Sequence, residues 1–115
     1  MPAVEAPAID EIAASQVQAR RERGEGFLLL DVREAAEREK ARIEGATWIP
    51  LGELAARLDE LDAWRERPVV VHCHHGGRSL RAARALRERG FAQVANLTGG
   101  IDAWSLTVDP SVPRY

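Results

Sequence analysis

The fold of this chain is decided by the stretch Val69-Val70-Val71-His72-Cys73-His74-His75-Gly76-Gly77-Arg78-Ser79. A run of β-branched valines is typical of a buried strand, and the Ala-, Leu- and Arg-rich segment after Ser79 is typical of a helix. Two glycines lie between these segments and allow a tight turn. The only cysteine of the chain, Cys73, therefore lies where a buried strand is followed by a helix.

Strand and helix patterns alternate along the rest of the chain. The predicted strands are residues 6–9, 27–32, 45–50, 69–71 and 91–97. The predicted helices are residues 11–23, with Asp10 as N-cap, then 33–38, 51–64 with a break near 59–61, 78–89 and 101–104. This alternation predicts an α/β fold with a five-stranded, mainly parallel sheet and helices on both faces.

In parallel sheets of this kind, ligands bind at the carboxyl ends of the strands. Asp31 ends one predicted strand, and Cys73 follows another. We therefore expect the two residues to lie at the same edge of the sheet.

Length and composition indicate one globular domain. The chain has 115 residues, of which 45% are hydrophobic and 30% are charged. We expect a single domain over residues 1–115, with its core at about 6–106 and a tail at 107–115. The net charge of −2 gives no support for nucleic acid or an anionic membrane as a partner.

Compartment is predicted from the cysteine count and the apolar runs. A single cysteine excludes an internal disulfide and suits a reducing compartment. Residues 1–10 have neither the basic nor the apolar region of a signal peptide. The longest apolar run, residues 27–30, is too short to cross a bilayer. The expected location is the cytoplasm.

The surroundings of Cys73 favour an anionic sulfur. Backbone N–H groups of residues 74–78 can converge on the centre of a short loop, and the following helix presents its N-terminus there. Such donors lower the pKa of a thiol and would also hold a persulfide anion. The alternative is that Cys73 is a small buried apolar residue at a strand end. The glycines and the helix start favour the reactive thiol.

The same residues resemble the active-site pattern Cys-x-x-Gly-x-Arg-Ser/Thr of the rhodaneses, a family of sulfurtransferases. Three further elements of the single-domain rhodaneses are matched in order by Asp31-Val32-Arg33-Glu34, Glu44-Gly45-Ala46-Thr47-Trp48-Ile49-Pro50-Leu51 and Gly99-Gly100-Ile101-Asp102-Ala103-Trp104. One element departs from the family, because Ala41-Arg42-Ile43 replaces the usual Gly-His-Ile.

The resemblance implies a rhodanese-like fold and a two-step sulfur transfer. The Cys73 thiolate would attack the outer sulfur of a small anionic donor such as thiosulfate, and sulfite would leave. A thiol or cyanide would then take the sulfur from the Cys73 persulfide. A protein persulfide is an alternative partner, and the reaction needs neither a metal nor an organic cofactor.

Two other functions are compatible with part of the pattern. Cdc25-type phosphatases and arsenate reductases resemble this fold and have the signature His-Cys-x-x-x-x-x-Arg. Here only four residues separate Cys73 from Arg78, which predicts a loop fitted to a cysteine with one extra sulfur. A non-catalytic binding module of rhodanese fold is the other alternative, although such modules typically lack the cysteine.

The three histidines of the chain, His72, His74 and His75, flank the cysteine. Adjacent residues seldom bind one ion, and zinc sites usually combine ligands from two separate segments. With the period of a strand, His72 and His74 point away from the face of Cys73. We therefore predict no metal centre.

Several of the remaining site residues have two interpretations. The loop residues His74, His75, Gly76, Gly77, Arg78 and Ser79 are predicted to bind the donor, mainly through backbone N–H groups. Arg78 either steers the anionic donor or pairs with a carboxylate such as Asp31, and the pairing is favoured. Ser79 either caps the helix or donates to the sulfur. Asp31 and Arg33 form either a network behind the site or a surface ion pair.

Overall fold

The structure is a computed structural model that describes residues 8–115. Its five strands are β1 Asp10–Ile12, β2 Leu28–Asp31, β3 Thr47–Trp48, β4 Pro68–His72 and β5 Gln93–Leu97. Its α-helices are α1 Ala14–Glu22, α2 Ala35–Lys40, α3 Leu51–Leu54, α4 Gly77–Glu88 and α5 Gly100–Thr107, and a 3₁₀ segment, Ala55–Trp64, follows α3. The start of the predicted first strand, at residues 6 and 7, lies outside the described residues.

The strands form one sheet in the order β1-β5-β4-β2-β3, and every neighbouring pair is parallel. The valine strand, β4, lies at the centre between β5 and β2. The predicted five-stranded α/β fold is confirmed. Within the described part of the chain, no helix combines the length and the apolar character that crossing a membrane requires.

The valines of β4 alternate between two buried layers. Val69 and Val71 pack, together with Cys73, in the layer that includes residues of α3 and α4. Val70 packs in the opposite layer, which includes residues of α1 and α5. Because the sheet is covered on both faces, residues 69–71 of β4 are all apolar, as expected for a central parallel strand.

The amino-terminal region differs from the prediction. Asp10 is not a helix cap but the first residue of β1, which pairs with β5 so that Asp10 lies beside Ala95. The helix begins after Ala13, whose backbone N–H donates to the side chain of Gln16 at 2.9 Å. Pairing with a distant strand has overridden the local capping preference of an aspartate.

Three further helical segments have different bounds. The predicted helix 33–38 lies at Ala35–Lys40. The predicted helix 51–64 is an α-helix only to Leu54, and the non-helical residue in the following 3₁₀ segment is Arg57, not a residue of 59–61. The last helix was predicted to end at Trp104 but extends to Thr107.

Candidate active site

Cys73 follows β4 directly, and its side chain is buried. The loop that we call the cysteine loop, residues 73–79, folds back so that the backbone N–H of Gly76 donates to the Cys73 sulfur at 3.1 Å. The Ser79 hydroxyl, in the first turn of α4, lies 3.3 Å from the same sulfur. Gly76 has a φ of 112°, a conformation in which a side chain is strained, so this turn requires a glycine.

The electrostatics of the loop favour the thiolate. Burial raises the pKa of the Cys73 thiol, but hydrogen bonds from the Ser79 hydroxyl and from the N–H groups of Ser79, Gly76 and Arg78 lower it by more. The net pKa is below the usual value for a cysteine. Of the predicted backbone donors of residues 74–78, the N–H groups of Gly76 and Arg78 act on the sulfur, together with that of Ser79. The Ser79 hydroxyl also donates toward the sulfur and makes no side-chain cap of α4.

The start of α5 holds the other side of the loop. The N–H of Ile101 donates to the Cys73 carbonyl at 2.9 Å, and the N–H of Asp102 donates to the His74 carbonyl at 3.2 Å. A Cβ atom on Gly100 would lie 2.5 Å from both carbonyl oxygens, so only glycine fits there. The Gly99-Gly100 pair, noted in the sequence as a family element, thus has a direct steric reason.

Arg78 points to a carboxylate on α2 rather than to Asp31. Its two terminal nitrogens donate to the two carboxylate oxygens of Glu37, at 2.5 and 2.8 Å. Hydrogen bonds from Arg78 are the main reason that the pKa of Glu37 is lowered to about 2. The favoured pairing role of Arg78 is observed, but the predicted partner was wrong because both oxygens of Asp31 are bound by Arg33.

The Asp31–Arg33 pair is completely buried. Arg33 donates through Nε and Nη2 to the two carboxylate oxygens of Asp31, at 3.0 and 2.8 Å, and through Nη2 to the Ala41 carbonyl at 2.8 Å. The alternative of a surface ion pair is therefore wrong. Ala41 belongs to the segment that departs from the family pattern, so this segment keeps a structural contact through its backbone.

His72 lies on the face of the sheet opposite to Cys73, as the strand period predicts. It is fully buried, and its Nε2 is 3.9 Å from Asp31 and has no hydrogen-bond partner. Burial lowers the pKa of His72 to about 4, and the Asp31 carboxylate opposes this effect only in part. His72 is thus a neutral residue behind the site.

The tail returns to the site through Tyr115, which sequence reasoning missed. The Tyr115 ring stacks on His74 at 3.9 Å between centroids, and His74 stacks on His75 at 3.8 Å. The Tyr115 hydroxyl accepts from Arg33 and donates to Glu37, both at 2.9 Å. No local signal predicts these contacts, because about 80 residues separate Tyr115 from both partners.

One group of possible metal ligands lies near the loop. Nitrogen or oxygen atoms of His74, His75 and Asp102 lie within 4.8 Å of one another. The carboxylate of Asp102 is already paired with Arg114 at 2.8 Å, and the rings of His74 and His75 are stacked on each other. The absence of a metal centre stays a prediction.

Asn96 and Glu11, also missed from the sequence, extend the polar network behind Ser79. The Ser79 hydroxyl donates to Oδ1 of Asn96 at 2.5 Å. The Asn96 amide nitrogen donates to the Gly76 carbonyl at 3.1 Å and to the Glu11 carboxylate at 3.0 Å. An asparagine in a strand has no sequence signal for such a role, because the strand pairing of β1 with β5 brings Glu11 to it.

The sequence of the chain is similar to those of known proteins. The profile of the family described as "Rhodanese-like domain" matches residues 13–107. The chain is 34% identical over 97 residues to a protein of Allochromatium vinosum named "Sulfurtransferase", covering 84% of this chain and 89% of that protein. It is 41% identical over 97 residues to "Adenylyltransferase and sulfurtransferase MOCS3-2" of Zea mays, covering 80% of this chain and 20% of that protein.

The fold has solved counterparts. The crystal structure of a thiosulfate sulfurtransferase from Pseudomonas aeruginosa matches with a TM-score of 0.80 and 28% identity, over 92% of this chain and 20% of that chain. Many relatives are longer: the chain spans 53%, 30% and 20% of the lengths of three curated proteins that it matches.

Proposed function

Because this chain belongs to the rhodanese-like domain family, we propose that it is a sulfurtransferase that carries the transferred sulfur on Cys73. The observation that supports this most directly is the set of donors aimed at one sulfur atom: the Gly76 N–H at 3.1 Å and the Ser79 hydroxyl at 3.3 Å. These donors favour an anionic sulfur in a buried position, where an unassisted thiolate would be costly.

In the first step, the Cys73 thiolate attacks the outer sulfur of thiosulfate or of a persulfide donor. A bond forms between the two sulfurs, and the bond between the outer sulfur and the rest of the donor breaks. With thiosulfate, sulfite leaves with the electron pair of that bond. The negative charge moves to the outer sulfur of the new Cys73 persulfide, within reach of the N–H groups of the cysteine loop.

In the second step, a thiolate or cyanide attacks the outer sulfur of the persulfide. The Cys73 thiolate leaves with the electron pair and is again stabilised by Gly76 and Ser79. The acceptor is either a small thiol, cyanide or the thiol of a protein partner. The ordinary two-step, covalent scheme requires only a good nucleophile that is also a good leaving group.

The loop residues have different parts in this proposal. His74 through Ser79 hold the donor mainly by their backbone N–H groups, and Arg78 sets the shape of the loop through Glu37. Asp31 and Arg33 support the site from the neighbouring strand end. A positive charge on Arg78, close to the sulfur, also favours incoming anions.

The test is to treat the protein with thiosulfate and to weigh it intact. We expect a mass gain of one sulfur atom that a reducing thiol removes, and no gain in Cys73→Ser. Sulfur transfer to cyanide should fall to the background level in Cys73→Ser, while the circular dichroism spectrum and unfolding midpoint stay close to those of the wild type. Sulfur transfer retained by Cys73→Ser would refute the assignment of Cys73 as the nucleophile.

The same samples test the alternative functions. Steady release of phosphate from an aryl phosphate, without any thiosulfate-dependent activity, would favour a Cdc25-type phosphatase. Absence of the mass gain in the wild type, with neither activity, would favour a non-catalytic binding module.

A further inference from the structure

The Ser79 hydroxyl lies between two acceptors and has a single proton. Its oxygen is 2.5 Å from Oδ1 of Asn96 and 3.3 Å from the Cys73 sulfur. A hydroxyl donates one hydrogen bond at a time, so the two acceptors compete for it. Ser79 and Asn96 are both buried, and water cannot readily replace the bond that is lost.

The orientation of the Asn96 amide is set by its other partners. Its Nδ2 donates to the Gly76 carbonyl at 3.1 Å and to the Glu11 carboxylate at 3.0 and 3.3 Å. Both hydrogens of the amide nitrogen are thus used by acceptors, so the carbonyl oxygen must face Ser79. The Glu11 carboxylate polarises the amide and makes its oxygen a stronger acceptor.

We propose that Asn96 is a positioning residue that competes with the Cys73 sulfur for the Ser79 proton, so that Ser79 stabilises this sulfur only while the sulfur is charged. Next to a neutral thiol, the hydroxyl donates to Asn96. Next to a thiolate, the bond to sulfur is charge-assisted and stronger, and the hydroxyl turns toward Cys73. The oxygen of Asn96 is then left without its donor, which is unfavourable in a buried position.

This competition adjusts the reactivity of the sulfur. Because Asn96 competes for the Ser79 proton, Ser79 stabilises the thiolate less than it would without Asn96. A less stabilised thiolate is a better nucleophile. When the charge moves to the outer sulfur of a persulfide, the Ser79 proton returns to Asn96. The proposal rests on Cys73 being the sulfur carrier, but the ionisation of its thiol can be measured whether or not sulfur is transferred.

The experiment is the pH profile of Cys73 alkylation by iodoacetamide, with thiolate absorbance as a second readout. The variants are Ser79→Ala, Asn96→Ala and the double variant. Asn96→Leu, which is similar in size and also lacks an acceptor, replaces Asn96→Ala if that variant fails to fold. The matched control is Thr98→Val, which removes a different hydroxyl bond to Glu11.

All variants keep the charged and titratable groups that surround the sulfur. On the elements packed around the cysteine loop, these groups are Glu11 on β1, Glu37 on α2, His72 on β4, His74 and His75 in the loop, Arg78 on α4, Asp102 on α5 and Tyr115 in the tail. A shift of the profile therefore reports on the Ser79 proton and not on a removed charge.

We expect the midpoint of the profile to move to higher pH in Ser79→Ala and to lower pH in Asn96→Ala. At a pH below the wild-type midpoint, the thiolate fraction should rise about threefold in Asn96→Ala, the effect of one modest hydrogen bond. The double variant should match Ser79→Ala, because Asn96 acts only through that hydroxyl.

Three results would overturn the proposal. The first is an unchanged or higher midpoint in the Asn96 variants. The second is an equal shift on removal of Asn96 with and without Ser79, which would mean that Asn96 acts through its bond to Gly76. The third is an equal shift in Thr98→Val, which would assign the effect to Glu11 alone.

Discussion

His72 and Cys73 are consecutive residues, and both are buried, but the charged form is disfavoured at His72 and favoured at Cys73. The pKa of each is lowered. For the histidine, a pKa of about 4 means that the ring is neutral near neutral pH. For the cysteine, a lowered pKa means that the anionic form is more accessible. A neutral imidazole and the proposed nucleophile thus belong to adjacent residues.

The difference lies in the hydrogen-bond donors on each face of the sheet. The cysteine loop directs several N–H groups and one hydroxyl at the Cys73 sulfur, and they outweigh the cost of burial. On the other face, Arg33 already neutralises Asp31, and no group in the described structure bonds to Nε2 of His72. Burial opposes the charged form of both residues, and the directed donors decide which charge is tolerated.

The largest expected effect on the His72 side of the sheet comes from removing the charge of Asp31. Asp31→Asn leaves the buried Arg33 without a counter-ion, next to His72. Breaking a buried pair from one side typically costs about 3 to 5 kcal/mol, so we expect a loss of this size in the free energy of unfolding. Denaturant unfolding measures it.

Asp62→Asn is the matched control for this change. Asp62 pairs with Arg65 on the surface, at 2.9 Å, and exposed pairs contribute little. Equal losses of unfolding free energy in Asp31→Asn and Asp62→Asn would contradict the expectation that the buried Asp31–Arg33 pair contributes more to stability than an exposed pair.

The neutral state of His72 predicts a stability that depends on pH. The pKa of His72 is about 4 in the folded protein and 6.5 in its ordinary state, so the unfolded chain binds more protons between these values. Stability should therefore be complete above pH 6.5 and fall as the pH decreases toward about 4. The loss attributable to this residue is about 3 kcal/mol.

His72→Leu isolates this contribution because leucine does not titrate. Unfolding free energies of wild type and variant, measured across the same pH range, should differ in slope, with the flatter curve in His72→Leu. Parallel curves for wild type and His72→Leu would show that His72 is not the group responsible.

On the Cys73 side, the smallest expected effect concerns the Arg78–Glu37 pair. Both side chains are partly exposed, so Arg78→Ala and Glu37→Gln should each lower the free energy of unfolding by about 1 kcal/mol or less. Sulfur-transfer rates should fall in both variants, because each loosens the cysteine loop. Denaturant unfolding and steady-state kinetics with thiosulfate measure the two effects.

The two variants separate the two roles of Arg78. If Arg78 holds the loop, both substitutions act in the same direction. A weaker apparent affinity for thiosulfate in Arg78→Ala alone, without a loss of stability, would instead assign a steering role to its charge.

The sequence alone was sufficient for the features that depend on local patterns. The valine run predicted a buried strand, and the glycines and helix start after Cys73 predicted donors around a sulfur. The period of the strand predicted that His72 and Cys73 lie on opposite faces. These conclusions are local because the geometry of a strand, a turn and a helix start depends on neighbouring residues.

Only the tertiary structure decided which side chains complete the site. Glu37, rather than Asp31, binds Arg78, and Tyr115 and Asn96 reach the loop from distant parts of the chain. Asp10, a good cap by its residue type, became part of a strand through pairing with β5. Such contacts depend on the order of strands and on the packing of helices across the sheet, and no local pattern encodes them. The residue type of the proposed nucleophile is thus evident in the sequence, whereas the groups that contact it are assembled by the fold.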